Sequence, residues 1–233
     1  MAYIEFKEIC KTYENEESEI EALDNINFEI NKGEIVVIVG PSGSGKTTLL
    51  NLLAGLDKPD SGSIIVNEEN ICNLKERHLN KYRKNDIGLV FYAYNLMVDT
   101  TVIENIKIAS VLSKSSKEID VLLKKIGLLD KAYIKAKNLT NEEKRRLTIA
   151  RALSKNPSII LCDESLMQFD IRGAKQIIKL FKNLSKKEKK VIIITTNNNL
   201  ISPTANKVIN LKGGRISSIK INKKPVSAGD LKW

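Results

Sequence analysis

The sequence predicts an α/β protein with a parallel sheet at its core, a small antiparallel β layer and an inserted helical lobe. Three observations predict this class. Short, continuous apolar runs alternate with helical patterns, as is typical of buried parallel strands. Segments of β character crowd the start of the chain, and a long helical stretch separates the early apolar runs from the late ones.

The first part of the chain is predicted to form strands. The segments, in order, are "YIEFKEICKTY", "ALDNINFEI" and, after a turn at "NKGE", the buried strand "IVVIVG". The stretch "SGSIIVNEENI" then alternates turn residues with short β runs. From "LKERHLNKYRKND" onward the pattern becomes helical.

Helical spacing of apolar residues continues from about Val102 to Leu153. There follow a buried strand "PSIILCDE", a helix "RGAKQIIKLFKNLSKKE", a second buried strand "KVIIITT" and a hairpin centred on Gly213 and Gly214. We therefore expect one domain over residues 1–233. Its core should comprise residues 1–85 and 156–233, and the helical lobe residues 86–155.

Composition excludes several classes of protein. The chain has 233 residues, of which 42% are apolar and 28% charged, as in a soluble globular domain. No apolar run approaches the roughly 20 residues that span a bilayer, and the start does not resemble a signal peptide. The three cysteines are widely spaced and form no CxxC, so we expect no zinc or redox site and a reducing cytoplasm.

The formal net charge of +10 leaves three interpretations open. A basic surface suits a nucleic-acid partner. It also suits a protein held against anionic lipids. The simplest interpretation is a lysine-rich composition spread over solvated faces, because the lysines are scattered apart from the local cluster "KNLSKKEKK".

A phosphate-binding loop is predicted at "GPSGSGKTT", residues Gly40, Pro41, Ser42, Gly43, Ser44, Gly45, Lys46, Thr47 and Thr48. The stretch matches G-x-x-x-x-G-K-[ST] and lies between a predicted strand and a predicted helix, as this motif requires. Its backbone N–H groups and the helix N-terminus would bind phosphate oxygens. Lys46 would reach the β- and γ-phosphates of ATP, and the Thr47 hydroxyl would bind Mg²⁺.

An acidic pair follows the apolar strand "SIILCDE". Asp163 should lie at the carboxyl edge of the sheet, where ligands bind in open α/β folds. It would hold Mg²⁺ together with Thr47, and Glu164 would then be placed to polarise an attacking water. This pair is a weak signal alone, but the phosphate loop makes it specific.

The order of these parts resembles the nucleotide-binding subunits of ATP-binding cassette (ABC) transporters over nearly the whole chain. The matching segments are Tyr13, "GPSGSGKTT", "GLVF", "RRLTIARAL", "IILCDE", Asp170 and "VIIITT". The stretches "EALDNINFEI" and "LLAGLDKPDSGSI" are most similar to the branch for lipoprotein release, macrolide export and peptide resistance. The resemblance implies that Tyr13 supports adenine and that two subunits sandwich two ATP molecules between phosphate loop and signature turn.

Three departures from the family pattern concern the γ-phosphate region. The resemblance implies a Gln after "VF", where this chain has Tyr92, and a His after the last core strand, where it has Asn197. The Leu-Ser-Gly-Gly-Gln signature turn is replaced by residues Leu139 to Glu143, "LTNEE". Parts that bind nucleotide are thus retained, whereas parts that complete the γ-phosphate site are lost.

The stretch "LTNEE" is nevertheless a good helix start. Thr140 and Glu143 have the spacing of a capping box, and Glu142 and Glu143 suit the positive end of a helix. The helix end that would receive a partner's γ-phosphate is therefore expected to hold the chain's own carboxylates. At an effective dielectric near 20, like unit charges about 4 Å apart repel by about 4 kcal/mol, which would weaken a nucleotide sandwich.

Three functions follow in order of preference. The first is an ATP-binding subunit of an ABC transporter, with weak or partner-dependent hydrolysis, lying on the inner face of the cell membrane against a permease. It would act as a homodimer or as a heterodimer with another ABC subunit. The second is a regulatory or structural module that binds nucleotide with essentially no ATPase activity. The third is a soluble ABC protein acting on nucleic acid or ribosomes, which we rank last because the chain has room for one cassette only, so no nucleic-acid partner is expected.

Overall fold

A computed structural model of the chain describes residues 2–14, 19–91, 94–111, 119–164 and 169–231. Its strands are β1 (Ile4–Glu14), β2 (Glu19–Ile30), β3 (Ile35–Val39), β4 (Ser61–Val66), β5 (Glu69–Asn70), β6 (Ile87–Val90), β7 (Ile159–Asp163), β8 (Val191–Thr196), β9 (Lys207–Lys212) and β10 (Arg215–Ile221). Its α-helices are α1 (Lys46–Leu53), α2 (Glu76–Asn85), α3 (Val102–Val111), α4 (Ile119–Ile126), α5 (Asn141–Ser154) and α6 (Ile171–Glu188).

The central sheet has six strands in the order β10-β9-β3-β8-β7-β6. Strands β9, β3, β8, β7 and β6 are parallel, and only β10 runs antiparallel, paired with β9 across the predicted hairpin. Strands β3 and β8 are buried at every residue, which is why their sequences are apolar without alternation. The predicted parallel α/β core is confirmed.

The second sheet is the predicted antiparallel β layer. It has four strands in the order β2-β1-β4-β5, all antiparallel. Alternate residues of β3 belong to different hydrophobic cores: Val37 packs with apolar residues of α3 to α6, and Val36 and Ile38 pack with the β layer and α1. The parallel sheet is therefore covered on both faces.

The boundary that we predicted for the helical lobe needs a correction. Residues 87–90 form β6, which pairs with β7 in the central sheet, so the sheet extends into the range 86–155 assigned to the lobe. The four-residue run "IGLV" is too short to show by its pattern whether it belongs to a strand or a helix. The helices α3, α4 and α5 follow it and pack on one another.

A bilayer-crossing helix is not found in the described part of the chain, because no helix there combines sufficient length with sufficient apolar character. The longest, α6, has 18 residues and carries basic side chains in its last turn.

Candidate nucleotide-binding site

A cleft of about 410 Å³ opens where β3 and β7 end, at the carboxyl edge of the central sheet. This volume is within the range of small-molecule sites. Residues of the β layer, the phosphate loop and the end of β7 line it: Tyr13, Ile20, Ala22, Ser42, Gly43, Ser44, Gly45, Lys46, Thr47, Thr48, Asp163 and Glu164. The structure thus brings most of the predicted site residues together.

The phosphate loop connects β3 to α1 through a backbone that two glycines make possible. Gly45, the N-cap of α1, has φ +97, and a Cβ there would lie 2.4 Å from the carbonyl oxygen of Ala22. A Cβ at Gly40 would lie 2.3 Å from the carbonyl oxygen of Leu211. Other residues would clash with backbone atoms that cannot give way, so the loop conformation depends on these positions.

Lys46 is held inside the loop. Its side chain is 4% exposed, and Nζ donates hydrogen bonds of 2.8 Å to the carbonyl oxygens of Gly40 and Pro41. The same ammonium group lies 3.5 Å from Oε1 of Glu164. A buried positive charge at the N-terminus of α1, with no acidic residue in that helix's first turn, favours an anion in the cleft.

The donor atoms around Asp163 fit Mg²⁺ with a bound phosphate. Oδ2 accepts a 2.9 Å hydrogen bond from the Thr47 hydroxyl, and Oδ1 accepts one of 2.6 Å from the Thr195 hydroxyl. Magnesium prefers such hard oxygen donors. Ser44 also lines the cleft, and its hydroxyl is, among the described residues, a buried polar atom without a hydrogen-bond partner.

Glu164 follows β7 directly and has a left-handed backbone, φ +46, which is uncommon outside glycine. Its N–H donates to both oxygens of Thr195, at 3.2 Å to the carbonyl and 3.1 Å to the hydroxyl. The Glu164 side chain is 33% exposed and lines the cleft beside Lys46. This position is consistent with the predicted role of polarising water.

Tyr13 lies at the end of the cleft formed by the β layer. Its hydroxyl donates a 2.7 Å hydrogen bond to Asp57, and the Lys11 ammonium lies 5.2 Å from the ring centroid. Burial and the Asp57 carboxylate raise the pKa of Tyr13. The ring is 37% exposed, so it keeps surface on which a base can stack.

The start of α5 has the predicted capping box. The Thr140 hydroxyl accepts from the Glu143 N–H at 3.3 Å, and the Glu143 carboxylate accepts from the Thr140 N–H at 2.9 Å. Glu143 also forms an ion pair with Lys131. Burial tends to raise the pKa of Glu143, but the hydrogen bonds from Lys131 and Thr140 outweigh it, so the pKa lies below its ordinary value.

The Glu142 side chain is directed toward Arg146, one turn further along α5. Its Oε1 accepts hydrogen bonds from Arg146, at 3.0 Å to Nε and 2.5 Å to Nη2, and a Cβ on Gly173 would come within 2.6 Å of the same oxygen. Both carboxylates thus have a cationic partner. The repulsion of about 4 kcal/mol estimated above for unpaired charges is therefore too large, because Arg146 and Lys131 neutralise much of the negative charge.

The remaining positions named from the family resemblance are Tyr92, Asn197 and Asp170. Tyr92 lies outside the described residues. Asn197 is exposed at the end of β8 and is not among the residues that line the cleft. Asp170 is the N-cap of α6, where its side chain accepts a 2.7 Å hydrogen bond from the Gly173 N–H.

Sequence reasoning missed the basic side chains of α5 that support the segment after β6. Arg145 is fully buried, donates to the carbonyl oxygen of Phe91 at 2.5 Å and lies 4.7 Å from the Tyr94 ring centroid. Arg151 donates to the carbonyl oxygen of Asn95 at 2.6 Å. Both arginines occur in the quoted stretch "RRLTIARAL", but their partners lie more than 50 positions away in the sequence.

A second groove, of about 470 Å³, lies between α4 and α6. Lysines dominate its lining: Lys124, Lys125, Lys179 and Lys187. It contains no residue of the phosphate loop and no acidic pair, so its slightly larger volume does not make it the nucleotide site.

Comparison with known proteins decides the family. Residues 23–167 match the sequence family described as "ABC transporter". The chain belongs to the ABC transporter family. The match spans the phosphate loop, the start of α5 and the acidic pair, and the predicted ABC ATPase fold is confirmed with it.

Relatives of this ABC domain include a putative ABC transporter ATP-binding protein of Mycoplasma pneumoniae, 34% identical over 233 residues. That alignment covers 99% of the chain but 50% of the relative, so the chain spans about half the length of this protein. The phosphonates import ATP-binding protein PhnC of Lactococcus lactis is 36% identical over 227 residues, with 91% of each protein covered. The lipoprotein-release branch stays a prediction.

A solved structure shares the whole architecture. The ATP-binding cassette MJ0796, described as a dimer in a post-hydrolysis state bound to ADP and phosphate, superposes with a TM-score of 0.87 at 31% identity. The superposition covers 95% of this ABC domain and 99% of the cassette.

Proposed function

We propose that this ABC domain binds Mg·ATP in the cleft and acts as the ATP-binding subunit of a transporter, with weak or partner-dependent hydrolysis. The observation that carries the proposal is the contact of the Thr47 hydroxyl with Asp163 beside the buried Lys46 ammonium. These three groups supply a phosphate-binding cation and the oxygen donors for Mg²⁺. Residues Gly40 to Thr48 would hold the phosphates, and Tyr13 would support the adenine.

Slow hydrolysis is proposed because the chain's own groups complete only part of a γ-phosphate site. Glu164 lies beside Lys46 and is available to polarise water. The Asn197 side chain is neutral and short. At the start of α5, Asn141 and Glu142 stand where the family resemblance places glycines, and Glu143 stands where it places a Gln; Glu142 and Glu143 are each paired with a basic side chain. Pairing with an intact cassette would not remove these deficits. One composite site would use the phosphate loop of this chain, the other would use the start of its α5, and both would be impaired.

Purified protein is expected to hydrolyse ATP at well below about 1 per second, the low end of typical enzymes. Loss of a group that positions charge in a transition state typically costs about 100- to 1,000-fold. Steady-state phosphate release, with Glu164→Gln as background, measures the rate. A turnover of about 1 per second or more that Glu164→Gln abolishes would contradict weak hydrolysis. No turnover even for a variant that combines Tyr92→Gln and Asn197→His with Thr140→Ser, Asn141→Gly, Glu142→Gly and Glu143→Gln would favour the alternative of a regulatory module.

A membrane permease is the proposed partner, which would place the protein on the inner face of the cell membrane. The family resemblance implies docking through the loop after "VF", whose apolar and aromatic side chains are Tyr92, Tyr94, Leu96 and Met97; of these, Tyr92 lies outside the described residues. In the structure, however, Tyr94 stacks on Arg145 and Leu96 packs against the core, so both are partly buried. Tyr94 and Leu96 therefore offer only part of their apolar surface to a partner.

A neighbouring patch is better exposed. Val98, Tyr133 and Ile134 have exposed fractions of 50%, 81% and 43%. They lie on two segments that run side by side: the Val102 N–H donates to the Ile134 carbonyl at 3.0 Å, and the Lys137 N–H donates to the Val98 carbonyl at 2.8 Å. Large apolar side chains exposed on adjacent segments support an interaction site in this region of the lobe.

Tyr133→Asp is expected to reduce recovery of the protein with membranes by about 10-fold, because a charge in an apolar contact loses at least about 1.4 kcal/mol. Co-purification of the native protein from membranes measures this. Leu129→Asp, at another exposed apolar position of the lobe, tests how far the patch extends, and Ile221→Asp on β10 is the control. Equal recovery of Tyr133→Asp and wild type would place docking elsewhere.

A further inference from the structure

We propose that Thr195 is a positioning residue of the nucleotide site, whose hydroxyl holds Asp163 and the backbone of Glu164 in the orientation that receives Mg²⁺ with its nucleotide. The inference rests on the proposed binding of Mg·ATP. It concerns the C-terminal end of β8, which belongs neither to the phosphate loop nor to the acidic pair.

The hydrogen-bond partners of the Thr195 hydroxyl all lie at the end of β7. Thr195 is fully buried and is the register partner of Asp163 between the parallel strands. Its hydroxyl donates to Asp163 Oδ1 at 2.6 Å and accepts from the Glu164 N–H at 3.1 Å. The Cys162 carbonyl oxygen is also within 3.4 Å, but the single hydroxyl proton favours the shorter contact with the charged carboxylate.

The two hydroxyls on Asp163 differ in their surroundings. Thr47 is exposed and lines the cleft, so its oxygen faces the space of the proposed ligand. Thr195 is buried and is not among the lining residues, so it cannot touch a nucleotide or an ion in the cleft. Any effect of Thr195 on binding therefore acts through Asp163 and Glu164.

A hydroxyl at this position is not required by packing. Thr195 follows the apolar run Val191–Ile194 inside the sheet, where valine would have the same shape. Burying a hydroxyl is unfavourable unless it is hydrogen-bonded, and here its strong partner is a carboxylate. The hydroxyl oxygen also receives the N–H of Glu164, whose left-handed backbone needs support from its surroundings.

Strand β8 is well placed for this function because it lies between β3 and β7. The next residue, Thr196, accepts the Gly40 N–H at 3.1 Å through its carbonyl oxygen. Two consecutive threonines thus connect β8 to the start of the phosphate loop on one side and to the acidic pair on the other. The spacing between Lys46 and Asp163 depends on both connections.

The experiment compares wild type, Thr195→Val and Thr195→Ser by calorimetry with ATP, once in excess Mg²⁺ and once in EDTA. The measured quantity is the Mg²⁺ enhancement, the ratio of Kd in EDTA to Kd in Mg²⁺. Thr195→Val is expected to lower this ratio by about 10-fold, because it removes one hydrogen bond to a charged group, with Kd in EDTA changed by less than about 2-fold. Thr195→Ser is expected to restore the ratio.

Several results would overturn the inference. One is an unchanged Mg²⁺ enhancement in Thr195→Val, and another is an equal loss of affinity in Mg²⁺ and EDTA, which would indicate damage to the fold or the loop. If Thr195→Val does not fold, Thr195→Ala removes the same hydroxyl and is judged by the same ratio. Wild type that binds ATP without any Mg²⁺ enhancement would overturn this inference and the proposed Mg²⁺ site but leave ATP binding in place, whereas wild type that binds no ATP would remove the proposed function as a whole.

Discussion

Lys46→Ala is expected to weaken ATP binding by about 30-fold or more, because a charge-assisted hydrogen bond contributes about 1.5–3 kcal/mol and Lys46 would supply more than one to the phosphates. The ammonium group is buried at the N-terminus of α1 and lies among oxygens that hold it in place. Calorimetry with Mg·ATP on both proteins measures the loss.

Two controls separate lost charge from a damaged loop. Lys46→Met keeps the apolar stem of the side chain but not the ammonium, so it should lose as much affinity as Lys46→Ala. Lys220→Ala removes an exposed lysine on β10, far from the cleft in the fold, and should bind as wild type does. Equal affinity in wild type and Lys46→Ala would show that the phosphate loop is not the site.

ATP is expected not to drive stable dimerisation of this chain, even when Glu164→Gln blocks hydrolysis. A ligand shifts an equilibrium only by its differential affinity for the two states. In a dimer of the kind that the family resemblance implies, that difference comes from a γ-phosphate received at the start of the partner's α5. Here Thr140 and Glu143 bond to each other there, and Glu142 is held by Arg146.

Rebuilding the turn should reverse this behaviour. The variant Thr140→Ser, Asn141→Gly, Glu142→Gly, Glu143→Gln, made in Glu164→Gln, is expected to gain ATP-dependent dimer. Light scattering after size exclusion, across salt concentrations, measures the mass. A tight ATP-dependent dimer of the unrebuilt protein would show that the carboxylates do not block the site.

A charge-only variant separates two physical causes. Glu142→Gln with Glu143→Gln keeps the side-chain bulk but removes both charges. Because Arg146 and Lys131 already compensate the carboxylates, we expect this variant to remain largely monomeric and the glycines to matter more. Dimerisation of the charge-only variant, lost at high salt, would instead indicate repulsion as the cause.

The sequence predicted the phosphate loop and the order of its flanking strand and helix because these signals are local. The motif requires glycine at Gly40 and Gly45, where a Cβ would clash with neighbouring backbone oxygens. The capping box at Thr140 was equally visible. The Glu142 to Arg146 pair has the four-residue spacing of a helical ion pair, but we did not predict it. The sequence did not show the lobe boundary, since "IGLV" became a strand only by pairing with β7.

The sequence by itself therefore determined the fold class, the place of the phosphate loop and the residues of the acidic pair. Periodicity and turn chemistry act over a few residues and need no distant partner. Only the tertiary structure decided that Lys131 pairs with Glu143, that Arg145 supports Tyr94 and that the Thr195 hydroxyl meets Asp163. Hydrogen bonds and ion pairs depend on distances of a few ångströms, and the folded chain sets those distances between residues that the sequence keeps far apart.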